Sequence, residues 1–415
     1  MTTTSGPADP LMPTPSPAEM NQQAWKAAGQ WGLDGSMSEL ETLMWRSERH
    51  PELSSTITAV MLLDTTPEWD RLWAAHEWAV GLIRRTRERV QEPIVPVGPP
   101  VWVEDEKFKL EHHLRRARLD AKKDGSDDLP SLLRYAERFA LAPLNRKRPL
   151  WEAVLVEGLA GDRAAYLLKL HHSVTDGLGG VQLLALVQSR TREHTPDKPT
   201  SRAGASPAAV NPAVLTTRQM LSRVAQAPDM LWRSVKFGGT VLSDPLRAGD
   251  DAVRFTASLR RMMPPPPAAP SPLFNGRKGR NWRFGVLECE FKRLRAAAKA
   301  ASGSVNDAYI AALLGGLRIY HERHGTPVES LPMAMPVSLR RGDDPMGGNK
   351  FAGALLAGPV DTSDPVERIA IIRGTVLTLR TEPALDSFGL FAPMVNLLPS
   401  AVGVYGVALS LGVLA

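Results

Sequence analysis

Two apolar β-type runs, WEAVLVEG (Trp151–Gly158) and AAYLLKLHH (Ala164–His172), flank a short turn that holds Gly161 and Asp162. That arrangement predicts a β-hairpin and fixes an antiparallel pair in the first half of the chain. STITAVMLLD (Ser55–Asp64), β-branched and apolar, reads as a further strand. Ser36–Arg46 reads as a helix start, with Ser36 or Ser38 as the cap ahead of Glu39 and Glu41. Glu68–Val90 and Leu129–Leu144 carry the period of helices, the second ending near Pro143. Gly179–Arg192 follows the hairpin as an amphipathic helix, with Val181, Leu184 and Val187 among its apolar positions. The second half repeats the alternation: a strand RFGVLECEF, a helix from about Asn306 to His324, then strands PMAMPVSL and FAGALLAGPV. Strands alternating with helices in both halves predict an α/β fold of two lobes, and 415 residues is too long for one small core.

Composition places the breaks. Residues 1–34 are expected to form a flexible tail rich in Pro, Thr, Ser and Ala, with no basic start and apolar block of a signal peptide. Residues 35–192 form the first lobe, 193–215 a Pro/Ala/Ser-rich linker, and 216–415 the second lobe, itself interrupted by the extended MMPPPPAAPSP run (Met262–Pro272). Net charge is +6, which suits an anionic ligand or an anionic membrane surface. No dense basic stripe interleaved with aromatics is present, so nucleic acid is not expected as a partner. The single cysteine, Cys289, excludes an internal disulfide and a cysteine-based zinc site and is expected to be a small buried residue in its strand. With no leader pattern, this points to a cytoplasmic protein. From Ser387 to Ala415 there is no charged residue, but prolines and glycines interrupt the run. Buried core or a lipid-gripping surface is expected there rather than a membrane span.

The hairpin ends in LHHSVTDGLGG (Leu170–Gly180). Successive strand side chains point to opposite faces, so His171 and His172 diverge, and a metal shared between them is disfavoured. His172 shares parity with Leu170, Leu168 and Tyr166, the face expected to be the more buried, and is the candidate chemical group; His171 is a supporting one. A neutral imidazole can take a proton from an alcohol without a metal or covalent intermediate, provided one tautomer is fixed. Asp176 could orient the histidine or pin the turn, the second fitting a turn aspartate followed by glycine better. Gly177 then permits a sharp turn or close passage of substrate. The bland reading is a packed, hydrogen-bonded histidine pair. A second pair, His112–His113, has Ala117 where an aspartate would be needed and reads as surface or packing. No G-x-S-x-G, P-loop or complete G-x-G-x-x-G is present.

HHSVTDG has the form H-H-x-x-x-D-G and resembles the acyltransferase superfamily of chloramphenicol acetyltransferase, carnitine acyltransferases and condensation domains. With RPLWEAVLVEGL, SVNDAYIAALLGGLRIY and MPVSLRRGDDPMGGNKFAG in this order, the chain from about Ser36 onward resembles the bacterial wax ester synthase/diacylglycerol acyltransferase family. The resemblance implies a chloramphenicol acetyltransferase-like fold: two lobes of mixed sheets flanked by helices, enclosing a tunnel at their interface. It implies acyl-CoA as co-substrate with no other cofactor, and diacylglycerol or a long-chain alcohol as acceptor. It also implies peripheral association with a membrane or lipid-droplet surface. His172 would remove the acceptor proton. Asp176 would be architectural, paired with Arg340 or Arg341. Asn306 and Asp307 match the family's ND element as substrate-binding candidates, with plain helix capping the competing role. Family members continue into a segment resembling SNVPGP and further strands, not found here, so the second lobe is expected to be incomplete. Two other readings stay open at this point: an acyltransferase that takes its acyl group from a carrier protein, and a non-catalytic lipid-binding homologue.

Overall fold

The computed structural model describes residues 17–49, 53–119, 128–188, 204–222, 224–225, 268–274, 282–339, 347–349 and 351–380. In chain order the helices are α1 (Pro17–Gly29), α2 (Glu39–Ser47), α3 (Trp69–Leu82), α4 (Leu129–Leu141), α5 (Gly177–Val187) and α6 (212–222). They continue with α7 (Phe291–Ala300), α8 (Val305–Arg323) and α9 (Pro365–Arg380). The strands are β1 (Thr56–Leu63), β2 (Glu88–Gln91), β3 (Val101–Glu104), β4 (Leu114–Arg118), β5 (Trp151–Glu157), β6 (Ala164–His171), β7 (Ser330–Ser338) and β8 (Phe351–Pro359).

The first lobe is built on a mixed sheet of order β1-β6-β5-β4, parallel only between β4 and β5. The β5–β6 hairpin turns through Gly161 and Asp162, both in left-handed backbone (φ 72° and 57°), which a glycine and a short acid tolerate. Strand alternation divides the core. Val154, Val156, Ala165 and Leu167 pack on Leu132, Ala136 and Phe139 of α4. Ala153, Leu168 and Leu170 face the other way, with Val80 of α3 and Trp151. The second lobe pairs β7 with β8 antiparallel and packs them against α8 and α9 through Leu314, Leu331, Leu356 and Ile372.

Several sequence expectations are corrected. Residues 17–34 are not a tail. Helix α1 packs on α3 and α5, and Ala28 and Trp31 are wholly buried with Trp45, Trp102 and Leu183. Composition concealed this because few apolar residues carry the contact. The predicted 68–90 helix stops at Leu82, continues as a 3-10 turn (Arg84–Arg87) and becomes β2. There Arg84 and Arg85 pair with the buried Glu88 at 2.8 and 2.9 Å. The expected strand over 283–291 forms no sheet among the described residues, and Leu287 (99% exposed) and Cys289 face outward. A β-rich composition does not make a strand where no partner edge receives it. Within the predicted linker, 204–211 is irregular and docks on the β2–β3 pair (Glu104 N–H to Pro207 O, 2.9 Å), and α6 begins at residue 212. The uncharged stretch from 387 onward lies outside the described residues. No helix among the described residues is long and apolar enough to cross a membrane.

An aromatic stack runs through the first lobe: Phe108 on His113 (5.2 Å), His113 on Trp151 (4.8 Å) and Trp151 on His76 (6.5 Å). The reading of the His112–His113 pair as packing holds for His113, whose Nδ1–H donates to Trp151 O at 2.8 Å. Its Nε2 is buried with no hydrogen-bond partner. Burial pushes His76 and His113 below the ordinary imidazole value.

Two outcomes follow from this packing. Trp31→Ala should destabilise the protein by about 3–5 kcal/mol in denaturant unfolding, where a true tail residue would change it by less than about 0.5 kcal/mol. Depressed native pKa values mean that the stability carried by neutral His76 and His113 is complete above the ordinary value of about 6.5. It is lost as pH falls through the lowered native values. Thermal midpoints should therefore drop on acidification below that value, and less steeply in His113→Phe.

Candidate active site at the histidine pair

The motif begins where β6 runs out. His171 pairs with Thr56, and the His172 N–H still donates to Ser55 O (2.6 Å), so strand parity holds through His172. Val174 N–H then bonds His171 O (2.9 Å) and Thr175 forms a parallel bridge with Gly348. Asp176 caps α5, its Oδ1 accepting from Gly179 N–H at 2.7 Å, while its own N–H donates to Gly348 O at 3.3 Å. The turn-fixing role read for Asp176 is thus what its geometry performs. Its expected partners Arg340 and Arg341 lie outside the described residues. Gly177 is the first residue of α5 without left-handed backbone, and a Cβ there would meet open space. The backbone at Gly177 therefore does not itself require glycine, and of its two expected roles close passage of substrate is the one the open space leaves room for.

The two histidines live in different surroundings, but the sequence reading of their faces is reversed. His171 is wholly buried, whereas His172 is half-buried. The face of Lys169 and His171 was expected to be the wetter one. Lys169 is instead wholly buried, its ammonium donating to Phe139 O and Ala142 O at 3.0 and 2.9 Å to close the C-terminus of α4. His171 packs edge-on to Trp45 (5.8 Å). Its Nδ1 accepts the Ser173 backbone N–H at 3.0 Å, so that nitrogen carries no proton and the hydrogen sits on Nε2. Nε2 lies 3.0 Å from Glu48 Oε2, off the line of a good hydrogen bond. Burial acts to raise the Glu48 carboxyl, but His171 and Arg146 outweigh it and hold it below the usual range. With Nδ1 bonded to Ser173, Nε2 facing the Glu48 carboxylate and the ring against Trp45, His171 is a staple between β6 and α2.

His172 is held from the other half of the chain. Asn349 Nδ2 donates to His172 O (2.7 Å) and to Glu41 Oε1 (3.1 Å), and both of these atoms can only accept. The amide orientation is thereby fixed, and Asn349 Oδ1 faces His172 Nδ1 at 2.9 Å. Nδ1 must donate, which places the lone pair of neutral His172 on Nε2. Behind the amide, Glu41 also accepts the Asn349 backbone N–H (3.1 Å) and closes the capping box of α2 with Ser38. Gly347 and Gly348 deliver Asn349 through two left-handed residues (φ 84° and 65°), and a Cβ on Gly347 would lie 3.0 Å from the Trp31 ring.

The other substrate-binding candidates do not join this group. Ser304 and Asp307 form a capping box on α8, with the buried Asp307 also 3.7 Å from Arg373, while Asn306 is exposed. The competing capping role thus describes Asp307. The residues that sequence reasoning missed are Asn349 and Glu41. Glu41 was visible only as a helix cap, and the signal at Asn349 was a polar residue directly after a glycine pair. Among the described residues no cluster of potential metal ligands is present.

Residues 36–309 match the family described as wax ester synthase/diacylglycerol acyltransferase catalytic domain. A Mycobacterium tuberculosis protein named "Putative diacyglycerol O-acyltransferase" is 38% identical over 378 residues, covering 89% of this chain and 74% of that protein. Another of the same name and organism is 28% identical over 348 residues, covering 82% and 64%. Among solved structures, the wax ester synthase/diacylglycerol acyltransferase from Marinobacter aquaeolei VT8 superposes with TM-score 0.53 at 20% identity, covering 89% of this chain and 78% of that one. The first condensation domain of the calcium-dependent antibiotic synthetase gives 0.51 at 17% identity, covering 83% and 75%. At these identities the two superpositions establish the fold, two-lobed and chloramphenicol acetyltransferase-like as expected.

The Glu41–Asn349 contact is accessible to a double-mutant cycle. Glu41→Ala and Asn349→Ala should couple by about 1.5–3 kcal/mol in denaturant unfolding, the range for hydrogen bonds to a charged group. Strict additivity would mean that the contact does not hold the halves together.

Proposed function

The chain belongs to the wax ester synthase/diacylglycerol acyltransferase family, and on that premise we propose that it moves a long-chain acyl group from acyl-CoA to the hydroxyl of diacylglycerol or a fatty alcohol, with His172 as general base. The observation that carries this reading is the fixed tautomer of His172. With Nδ1–H given to Asn349 Oδ1, Nε2 bears the lone pair that accepts the acceptor's hydroxyl proton. The oxygen attacks the thioester carbonyl, the tetrahedral intermediate collapses, and the CoA sulfur leaves with the proton returned from the imidazolium. While His172 is charged, Asn349 Oδ1, backed by the Glu41 carboxylate, accepts a strengthened hydrogen bond. His171 and Asp176 hold the strand end and the α5 terminus in place and touch no reacting atom.

The acceptor makes a lipid surface the working environment, and we place the protein peripherally on a membrane or lipid inclusion from the cytoplasmic side. Supporting this are the net charge of +6 and the exposed Leu178 and Val181 on α5 (51% and 63%).

Thiol release from palmitoyl-CoA should appear only when diacylglycerol or a fatty alcohol is supplied, with the esters resolved by thin-layer chromatography. His172→Ala should lower that rate by about 10²–10⁴, the range for a lost general base, and Asn349→Ala should lower kcat with a smaller change in KM. An unchanged rate in His172→Ala removes the assignment. Turnover with acyl-carrier protein and none with acyl-CoA would change the donor.

A further inference from the structure

Gly347, the first of the two left-handed glycines that deliver Asn349, lies against the turn that ends α1, and the contacts there leave no slack. A Cβ on Gly347 would stand 3.0 Å from Cε2 of Trp31 and 3.2 Å from the Gly32 nitrogen. Gly32 is itself left-handed (φ 67°), and a Cβ on it would stand 3.2 Å from both Cβ and Nε of Arg85. Arg85, Gly32 and Gly347 are thus packed in series, with two glycines where side chains would not fit. A close-packed interior passes a shift of one layer to the next rather than absorbing it.

Residues 30–35 form neither helix nor strand, and the turn is gripped from outside. Arg85 Nη2 donates to Asp34 O at 2.7 Å, and Arg84 Nη2 donates to Leu33 O at 2.9 Å. The Arg85 guanidinium also lies over the Trp102 ring at 4.1 Å and has Nη1 2.9 Å from the wholly buried Glu88. Trp102 closes the group, its N–H donating to Gly35 O at 2.9 Å. A planar fork held by three neighbours keeps its stem in one place, and that stem is what meets Gly32. Charge points the same way. Burial pushes Arg85 down to about 10, against Glu88 and Glu41, which act to raise it. Glu88 has Arg84 as a second partner at 2.8 Å, so the Arg85 charge also serves Glu41, the carboxylate behind the Asn349 amide.

We propose that Arg85 is a positioning residue for acyl transfer, holding the Trp31–Gly32 turn against Gly347 so that Asn349 stays on His172. It touches no reacting atom. The link to turnover rests on the acyltransferase reading, whereas the link to the His172 proton does not. A clamp that served the fold alone would cost stability on removal and leave the turnover of the folded protein as it was. Arg87 supplies that comparison. It pairs with Glu104 at 3.3 Å and donates to Val80 O and Gly81 O at 2.8 and 3.3 Å, none of which belongs to the turn or to the histidine site.

The test compares Arg85→Met, Arg85→Lys and Arg87→Met in thermal midpoint, in kcat and KM with palmitoyl-CoA, and in imidazole-nitrogen NMR of His172. Both Met variants should lower the midpoint. Only Arg85→Met should lower kcat, by about tenfold or more with KM within about twofold, and turn His172 into a mixture of tautomers. Arg85→Lys keeps the stem beside Gly32 and a donor for Asp34 O, and should recover at least about threefold of that loss. Should Arg85→Met fail to fold, Gly32→Ala sets a methyl against the Arg85 stem and should show the same split. An unchanged kcat and a single His172 tautomer in the Arg85 or Gly32 variant overturn the proposal, as does an equal kcat loss in Arg87→Met. If the wild type turns over no acyl-CoA, mixed tautomers in Arg85→Met leave the positioning role standing and remove the acyltransferase reading, and a single tautomer removes both.

Discussion

The Asn349 side-chain amide is the contact on which the rest of the site depends. It gives its two hydrogens to His172 O and Glu41 Oε1 and takes the one from His172 Nδ1. Those three bonds leave neither the amide nor the imidazole a second orientation. They also join segments far apart in the chain, since Asn349 stands 177 residues from His172 and 308 from Glu41. Reactivity and assembly are therefore one constraint. If 347–349 lifts from Trp31 and α2, the histidine loses its tautomer along with its partner.

The adjacent histidines make this clear by contrast. They are neighbours in sequence and opposites in proton placement. His171 carries its hydrogen on Nε2 toward Glu48 and gives its Nδ1 lone pair to the Ser173 N–H, so its proton-accepting atom is spent on the fold. His172 carries its hydrogen on Nδ1 and its lone pair on Nε2. A strand that alternates faces can assign one imidazole to structure and the next to chemistry without any other change in sequence.

What was legible in the sequence followed the range of the interactions. The β5–β6 hairpin, the Ser38 cap and the β7–β8 strands rest on patterns of a few residues, and each is where the pattern put it. The argument offered for His172 over His171, that its face is the more buried, is reversed in the structure. The face assumed wetter is dry because Lys169 spends its charge on the α4 carbonyls, a contact made with residues 27 and 30 positions away. Helix α1 escaped notice because Trp31 and Ala28 are buried by α3 and α5 rather than by a periodicity of their own. Strand composition at 283–291 misled because pairing requires a partner edge. Asn349 left only a weak local mark, a polar residue after two glycines, which an ordinary turn residue shares.

The central claim is the placement of one proton, and heteronuclear NMR of the imidazole nitrogens at neutral pH measures it directly. The account predicts that neutral His172 carries its hydrogen on Nδ1 while His171 carries it on Nε2, and that Asn349→Ala returns His172 to a mixture of both forms. A His172 hydrogen on Nε2 in the wild-type protein would contradict it.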